Sequence, residues 1–208
     1  MYEIPRQLAA RSIINYLYKD ILEFAGVRKS ELIIKLLQLI ALQVGNEVSY
    51  TELAQKLGIN TVTVQNYIDL LEKSFVIYKL KWLSRNLRNE ITKSVKIYFW
   101  DVWILNSLIN NFNPTDLRSD LWWLREKFCI TERMKRNNNQ REMVKTYFRR
   151  TYTQQEIDYI EEKDWYFYAF EFKSNPKTKA KVPQLFHDTY ANSNFTLTNP
   201  ATIIDFLT

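Results

Sequence analysis

The chain has 208 residues, 46% of them hydrophobic and 15% aromatic, and it carries a formal net charge of +6. This length allows one large or two small domains with packed cores, and the basic surplus favours polyanionic partners such as nucleic acids. No apolar run approaches the ~20 residues of a membrane-spanning helix, and no secretory signal is visible. We therefore expect a cytoplasmic protein without membrane association.

The residue types also limit the chemistry. A single cysteine, Cys129, and a single histidine, His187, exclude an internal disulfide and metal sites rich in cysteine or histidine. No G-x-x-x-x-G-K-[S/T] motif occurs in the chain, which therefore has no phosphate-binding loop for ATP. A metal ion in this protein is expected to have oxygen ligands, which suits Mg²⁺ or Mn²⁺.

The N-terminal part is predicted to be helical. Residues 9–25 carry apolar side chains at helical spacing and are followed by Gly26, a common helix stop. We assign residues 1–30 to a linker helix on this basis. Residues 31–44 form a second predicted helix, which ends at a further glycine.

Residues 49–73 hold the most regular local pattern in the chain. Ser49, with Glu52 three positions later, forms a capping box that starts a short helix over residues 50–57. Gly58 suits the tight turn that follows, because glycine adopts positive φ without strain. The pattern predicts a helix-turn-helix.

The second helix of this pair is expected to be capped by Asn60 or Thr61. Its core-facing residues are predicted to be Val62, Val64, Ile68 and Leu71. Residues 75–83 and 95–100 are apolar enough to be two wing strands. Residues 31–101 are therefore predicted to form a winged helix-turn-helix domain.

This domain offers candidate nucleic-acid contacts. The exposed positions of its second helix are predicted to be Thr61, Thr63, Gln65 and Asn66, and the loop between the wings carries Arg85, Arg88 and Lys93. Glutamine and asparagine can pair with adenine. The helix has no Arg or Lys before Lys73, so phosphate contacts would have to come from the wing. Winged helices also serve as protein-protein modules, and that alternative stays open.

A domain boundary is predicted near the middle of the chain. Residues 102–112 are predicted to form a bridging helix, and the turn-rich run that follows is a break. We assign residues 102–118 to this bridging helix and linker, and residues 119–208 to a second domain.

The second domain alternates helices and strands. The predicted elements are a helix over 121–136, strands over 143–152, 156–160 and 165–173, a helix over 182–191, a strand over 194–198 and a helix over 201–207. The first helix is expected to bury Leu121, Leu124, Phe128 and Ile130, with Glu126 near the buried edge. The predicted class is α+β, with the order α-β-β-β-α-β and a final helix.

The strands over 156–160 and 165–173 are predicted to form a hairpin that reverses over residues 161–164. Side chains alternate between the two faces of a strand, so Glu171 and Lys173 share a face. The reversal would return Asp158 to within a rung or two of Glu171. Two carboxylates this close repel each other when ionised, and a divalent cation relieves that repulsion. Lys173 could then orient a water molecule and steady the charge of a phosphate.

These residues resemble a known catalytic pattern. Glu126 on a helix, Asp158 on the next-but-one element and the triplet Glu171-Phe172-Lys173 are similar to the PD-(D/E)xK restriction-endonuclease-like core. The resemblance implies metal-dependent cleavage of nucleic acid, with Asp158 and Glu171 as ligands of Mg²⁺ or Mn²⁺. It implies catalytic roles for Glu126, Asp158, Glu171 and Lys173.

A wider resemblance covers nearly the whole chain. It is to the C-terminal region, a domain of unknown function, that follows the ATP-binding module in bacterial and archaeal AAA-type ATPases. The matching stretches are residues 18–21, 50–71, 96–101, 126–128, 131–133, 156–158 and 171–174. The resemblance implies an ATPase module before Met1 in the full-length protein. It leaves two functions open: a nuclease, or an inactive module that docks nucleic acid or a protein partner for an ATPase.

Overall fold

The structure, a computed structural model, describes residues 30–84, 95–114, 117–118, 120–150, 156–178 and 184–208. The predicted helix over 9–25 and the basic residues Arg85, Arg88 and Lys93 lie outside this part of the chain. The described residues form a mixed α+β structure with seven helices and seven strands. None of the helices described is long and apolar enough to cross a membrane.

Two compact units divide the chain. The first comprises Met1–Lys79 with Val95–Ser119, and the second comprises Leu80–Ser94 with Asp120–Thr208. Each unit thus combines two separate stretches of sequence.

The first unit has four helices among its described residues. In chain order its elements are α1 (Ser30–Ala41), β1 (Glu47–Val48), α2 (Tyr50–Leu57), α3 (Thr61–Lys73), β2 (Ile77–Trp82), β3 (Val95–Phe99) and α4 (Val102–Leu108). The last three residues of β2 belong to the second unit. Strand β3 lies between β1 and β2 and pairs antiparallel with β1. Leu36, Leu53, Ile68 and Ile97, one from each of four elements, are completely buried in its core.

Side-chain caps define the helices α2 and α3. The hydroxyl of Ser49 accepts a hydrogen bond from the Glu52 N–H at 3.3 Å, and Asn60 Oδ1 accepts one from the Thr63 N–H at 2.7 Å. Gly58 between the helices has φ of 64°, in the left-handed region. The predicted caps at Ser49 and Asn60 and the predicted glycine turn are confirmed.

One predicted core residue of α3 is wrong. Val64, Ile68 and Leu71 are completely buried, whereas Val62 is 66% exposed. The helical repeat of about 3.6 residues places positions 64, 68 and 71 on one face and position 62 away from it. Val62 therefore belongs to the exposed surface of the first helical turn.

The second unit follows the predicted order of elements. The end of β2 belongs to this unit. Its other elements are α5 (Leu121–Asn139), β4 (Lys145–Arg150), β5 (Glu156–Lys163), β6 (Tyr166–Phe172), α6 (Gln184–Thr189), β7 (Ser193–Thr198) and α7 (Ile203–Leu207). The strand order is β2-β4-β5-β6-β7. The β4–β5 and β5–β6 pairs are antiparallel, and the β2–β4 and β6–β7 pairs are parallel.

Both faces of this sheet are covered. Ile160 pairs with Ala169, and these two residues belong to a buried cluster with Phe186 and Tyr190 near α6. The neighbouring pair, Tyr159 with Phe170, faces the other side because side chains alternate along each strand. On that side Phe206 of α7 packs edge-on against Tyr159, Phe170 and Phe172.

The predicted reversal of the hairpin over residues 161–164 is wrong. Strand β5 continues to Lys163, and the turn consists of Asp164 and Trp165, with φ of 51° and 64°. Positive φ at both central residues is the geometry of a type I′ hairpin turn. Trp165, expected on the strand, is 84% exposed at this turn. Glu161 stays in the strand because other elements supply partners for its carboxylate, as described below.

The predicted buried face of α5 is also partly wrong. Phe128 is 46% exposed, whereas Lys127, Cys129, Ile130 and Thr131 are buried. The Thr131 hydroxyl donates a hydrogen bond to the Lys127 carbonyl at 2.8 Å. Apolar spacing alone therefore misplaced the face, because the helix buries polar side chains at three positions, Lys127, Thr131 and Asn137.

Candidate functional site

Asp158 lies at an irregularity in β5. The pairing of β5 with β4 shifts register between Tyr147 and Arg149, as at a β-bulge. On the other side, the backbone pairs of β5 with β6 begin at Tyr159 with Phe170. Just before them, Asp158 Oδ2 accepts a hydrogen bond from the Phe172 N–H at 2.8 Å. The carboxylate thus takes the place of a strand carbonyl and lies beside the residue that separates Glu171 from Lys173.

Glu171 and Lys173 form a close ion pair at the end of β6. The Lys173 ammonium lies 2.6 Å from Glu171 Oε1, and the two side chains are 42% and 18% exposed. The Lys173 N–H donates to the Thr198 carbonyl of β7 at 2.9 Å, which fixes the backbone at this point. The alternation of side chains along β6 places both charged groups on one face. The site therefore stands on a strand held by neighbours on both sides.

Three carboxylates act on the Lys173 ammonium. Its hydrogen bond to Glu171 raises the pKa of Lys173, partial burial opposes this, and the charges of Glu171, Asp158 and Glu126 raise it further. All three acids are therefore close enough to Lys173 for their charges to be felt. The structure places Asp158, Glu171 and Lys173 at the same end of the β5–β6 pair, and the charge of Glu126 acts on Lys173 from α5.

Glu126 reaches this region from helix α5. Its charge adds to the effect of burial, which raises the pKa of Cys129 to about 12. Farther along the helix, Arg133 contacts Glu161 of β5. The buried Cys129 thiol stays protonated and is not a candidate nucleophile.

The donor set suits a cation bound through few protein ligands. In the part of the chain that the structure describes, no three His, Cys, Asp or Glu side chains lie close enough to hold a metal ion. Mg²⁺ in phosphoryl-transfer sites commonly uses one or two carboxylates, with water and substrate phosphate completing its shell. Asp158 and Glu171, on adjacent strands, fit this second mode.

A second charged cluster in the same hairpin was not predicted. Glu161, 3% exposed, accepts hydrogen bonds from Arg133 Nη2 at 3.0 Å, Asn137 Nδ2 at 2.5 Å and the Tyr159 hydroxyl at 3.0 Å. Arg133 also donates to the Phe206 carbonyl at 2.8 Å. This cluster ties α5, β5 and α7 together. The sequence signal for this cluster was Glu161 directly after an apolar strand. A glutamate at that position is also typical of a turn, so the signal did not distinguish the two.

The candidate nucleic-acid face of α3 is partly as predicted. Thr61, Gln65 and Asn66 are exposed. Thr63 is half-buried, and its hydroxyl donates to Asn60 Oδ1 at 2.8 Å, so it stabilises the cap. Arg85, Arg88 and Lys93 lie outside the described residues.

A lysine of the first unit neutralises the acidic end of α3. The Lys79 ammonium lies 2.6 Å from Asp69 and 2.7 Å from Glu72. Burial of Lys79 alone would lower its pKa, but hydrogen bonds to Asp69 and Glu72 raise it. The charge of Lys79 is therefore balanced by two acids of the same unit.

Comparisons with known proteins identify two domains of unknown function. A family model for a domain of unknown function, DUF8612, matches residues 2–116, and one for another domain of unknown function, DUF4143, matches residues 123–204. DUF4143 is often found in AAA-ATPase-associated proteins. No curated protein and no solved structure matches the chain. Because the first match spans more than half of the 208 residues, the chain belongs to the DUF8612 family.

Proposed function

We propose that the second unit is a PD-(D/E)xK-type core that hydrolyses phosphodiester bonds of nucleic acid with the help of Mg²⁺ or Mn²⁺. The observation that carries this proposal is the position of Asp158, whose carboxylate accepts a hydrogen bond from the N–H of Phe172, the residue between Glu171 and Lys173. The charge of Glu126 also acts on Lys173. The element order α-β-β-β-α-β supports it. Fold resemblance alone would not, because one fold serves many chemistries.

Each residue would have a separate task in this site. Asp158 and Glu171 would hold the metal ion, and Glu126 would assist through a water molecule. A bound divalent cation supplies Lewis-acid stabilisation to the phosphate under attack. Lys173 would orient the attacking water and balance the charge that develops on the phosphate oxygens.

We propose that the first unit is a winged helix-turn-helix that binds nucleic acid. The capped helix pair α2–α3, with the exposed Thr61, Gln65 and Asn66, supports this role. Amide side chains on such a helix can read adenine in the major groove. The phosphate contacts that dominate affinity would come from Arg85, Arg88 and Lys93, which belong to the stretch Leu80–Ser94 of the second unit.

A cleavage assay tests the proposal. The 208-residue chain is incubated with end-labelled single- and double-stranded DNA and RNA in the presence of Mn²⁺, and cleavage is followed on denaturing gels. We expect cleavage by the wild type and a loss of at least about 100-fold in Asp158→Asn and Glu171→Gln, because both remove a charged ligand. Asp164→Asn, at the exposed turn, is the matched control and should cleave like the wild type. Wild-type cleavage no greater than that of Asp158→Asn would refute the proposal.

A second candidate is a non-catalytic docking module of an AAA-type ATPase. The ion pair of Glu171 with Lys173 favours it, because these two groups already satisfy each other's charge. The DUF4143 match favours it as well, since that domain is often found in AAA-ATPase-associated proteins. Calorimetry with millimolar Mg²⁺ separates the candidates. A docking module should give no binding that depends on Glu171, whereas binding that vanishes in Glu171→Ala supports the nuclease.

A further inference from the structure

The Lys173 ammonium already holds one oxygen of the Glu171 carboxylate. Lys173 Nζ lies 2.6 Å from Glu171 Oε1, the distance of a short charge-assisted hydrogen bond. Glu171 is 18% exposed, so its carboxylate has limited room for a second positive partner. A divalent ion on this carboxylate would therefore compete with the lysine for the same oxygens.

We propose that Lys173 is a built-in counter-ion that a divalent cation must displace from Glu171 before the site can act. This inference rests on the proposed function and concerns the regulation of the same site. Without metal, the ammonium offsets part of the repulsion among Glu126, Asp158 and Glu171. The Glu171 carboxylate would hold the Mg²⁺ or Mn²⁺, and the Lys173 ammonium would then move away because two cations repel each other. The released side chain is then available to the phosphate of a nucleic acid.

The backbone around Lys173 is held by hydrogen bonds, so the Lys173 side chain can leave Glu171 without a change in the strand. The Phe172 N–H is held by Asp158 Oδ2 at 2.8 Å, and the Lys173 N–H is held by the Thr198 carbonyl at 2.9 Å. The strand therefore stays in place while the Lys173 side chain rotates about its own bonds. The side chain is 42% exposed, so a path to solvent is open.

Metal affinity of a lysine variant tests this inference. Mn²⁺ binding to the whole chain is measured by titration calorimetry for the wild type, Lys173→Met and Lys173→Arg. We expect Lys173→Met to bind Mn²⁺ about three- to tenfold more tightly, because it removes both a competitor and a nearby positive charge. Lys173→Arg, which keeps the charge, should bind like the wild type. Lys177→Met removes an exposed lysine from the following loop and should leave the affinity unchanged.

The outcomes separate this inference from the proposed function. If Lys173→Met binds Mn²⁺ no more tightly than the wild type while the wild type binds metal and cleaves nucleic acid, the counter-ion role is wrong and the nuclease stands. If neither protein binds Mn²⁺, both proposals fall. Tighter binding by Lys173→Met, with thermal melting curves showing that each variant is folded, supports the counter-ion role even where cleavage is absent.

Discussion

Two charged clusters on one hairpin differ in how their acids are satisfied. Glu161 is 3% exposed and accepts hydrogen bonds from Arg133, Asn137 and Tyr159. Glu171 is 18% exposed, and its ion-pair partner is the flexible, 42% exposed Lys173. A buried acid surrounded by donors from several elements stabilises the fold. A partly exposed acid held by one mobile cation can exchange that cation, and this difference separates the structural cluster from the candidate site.

The largest expected effect comes from breaking the buried cluster. Glu161→Gln would leave the Arg133 guanidinium, whose side chain is 17% exposed, without its carboxylate. Removing one member of a buried ion pair costs about 3–5 kcal/mol of unfolding free energy. Glu171→Gln should change that free energy by less than about 1 kcal/mol, as for most exposed ion pairs. Urea denaturation of the two variants checks the contrast, and equal losses would contradict it.

Asp158 sharpens the comparison because it belongs to the site and also supports the strand. Asp158→Ala removes the acceptor of the buried Phe172 N–H and should cost about 1–2 kcal/mol of unfolding free energy. Asp158→Asn keeps an oxygen acceptor in place, so its stability should remain near that of the wild type. Urea denaturation separates the two variants. If Asp158→Asn were as unstable as Asp158→Ala, the negative charge would matter more to the fold than the hydrogen bond.

Lys79 provides an intermediate case in the first unit. Its side chain is 17% exposed and contacts Asp69 and Glu72, which are 41% and 36% exposed. Because these acids are well solvated, we expect Lys79→Met to lower the unfolding free energy by only about 1 kcal/mol.

The contribution of Lys79 should also depend on pH. Its pKa in the folded state is raised above the ordinary 10.5, because hydrogen bonds to Asp69 and Glu72 outweigh the opposing effect of burial. The stabilisation is therefore complete below pH 10.5 and is lost as pH rises through the higher folded-state pKa. The stability difference between the wild type and Lys79→Met, measured by urea denaturation along a pH series, should shrink at strongly alkaline pH. A difference that grew there would contradict this assignment.

Local patterns in the sequence predicted more of the fold than of the site. The caps at Ser49 and Asn60 and the element order of the second unit were predictable, because each depends on residues within a few positions of one another. The Glu161 cluster was not, because Arg133 lies 28 residues earlier in the chain. Without that partner, the polar run at residues 161–164 reads as a turn. The ion pair of Glu171 with Lys173 was not predicted either, because the spacing of two residues indicates a shared face of the strand but not a contact.

The smallest change in unfolding free energy is expected at the two-residue turn of the hairpin. Asp164 and Trp165 both have positive φ, which costs an L-residue such as tryptophan about 1 kcal/mol or more. Trp165 is 84% exposed, so it recovers little of this cost through packing. Trp165→Gly should therefore raise the unfolding free energy by about 0.5 kcal/mol, because glycine favours this geometry. Thermal melts of Trp165→Gly and Trp165→Ala make the check, since alanine removes the ring but keeps the strain. A loss of stability in the glycine variant alone would mean that the turn differs from the one described.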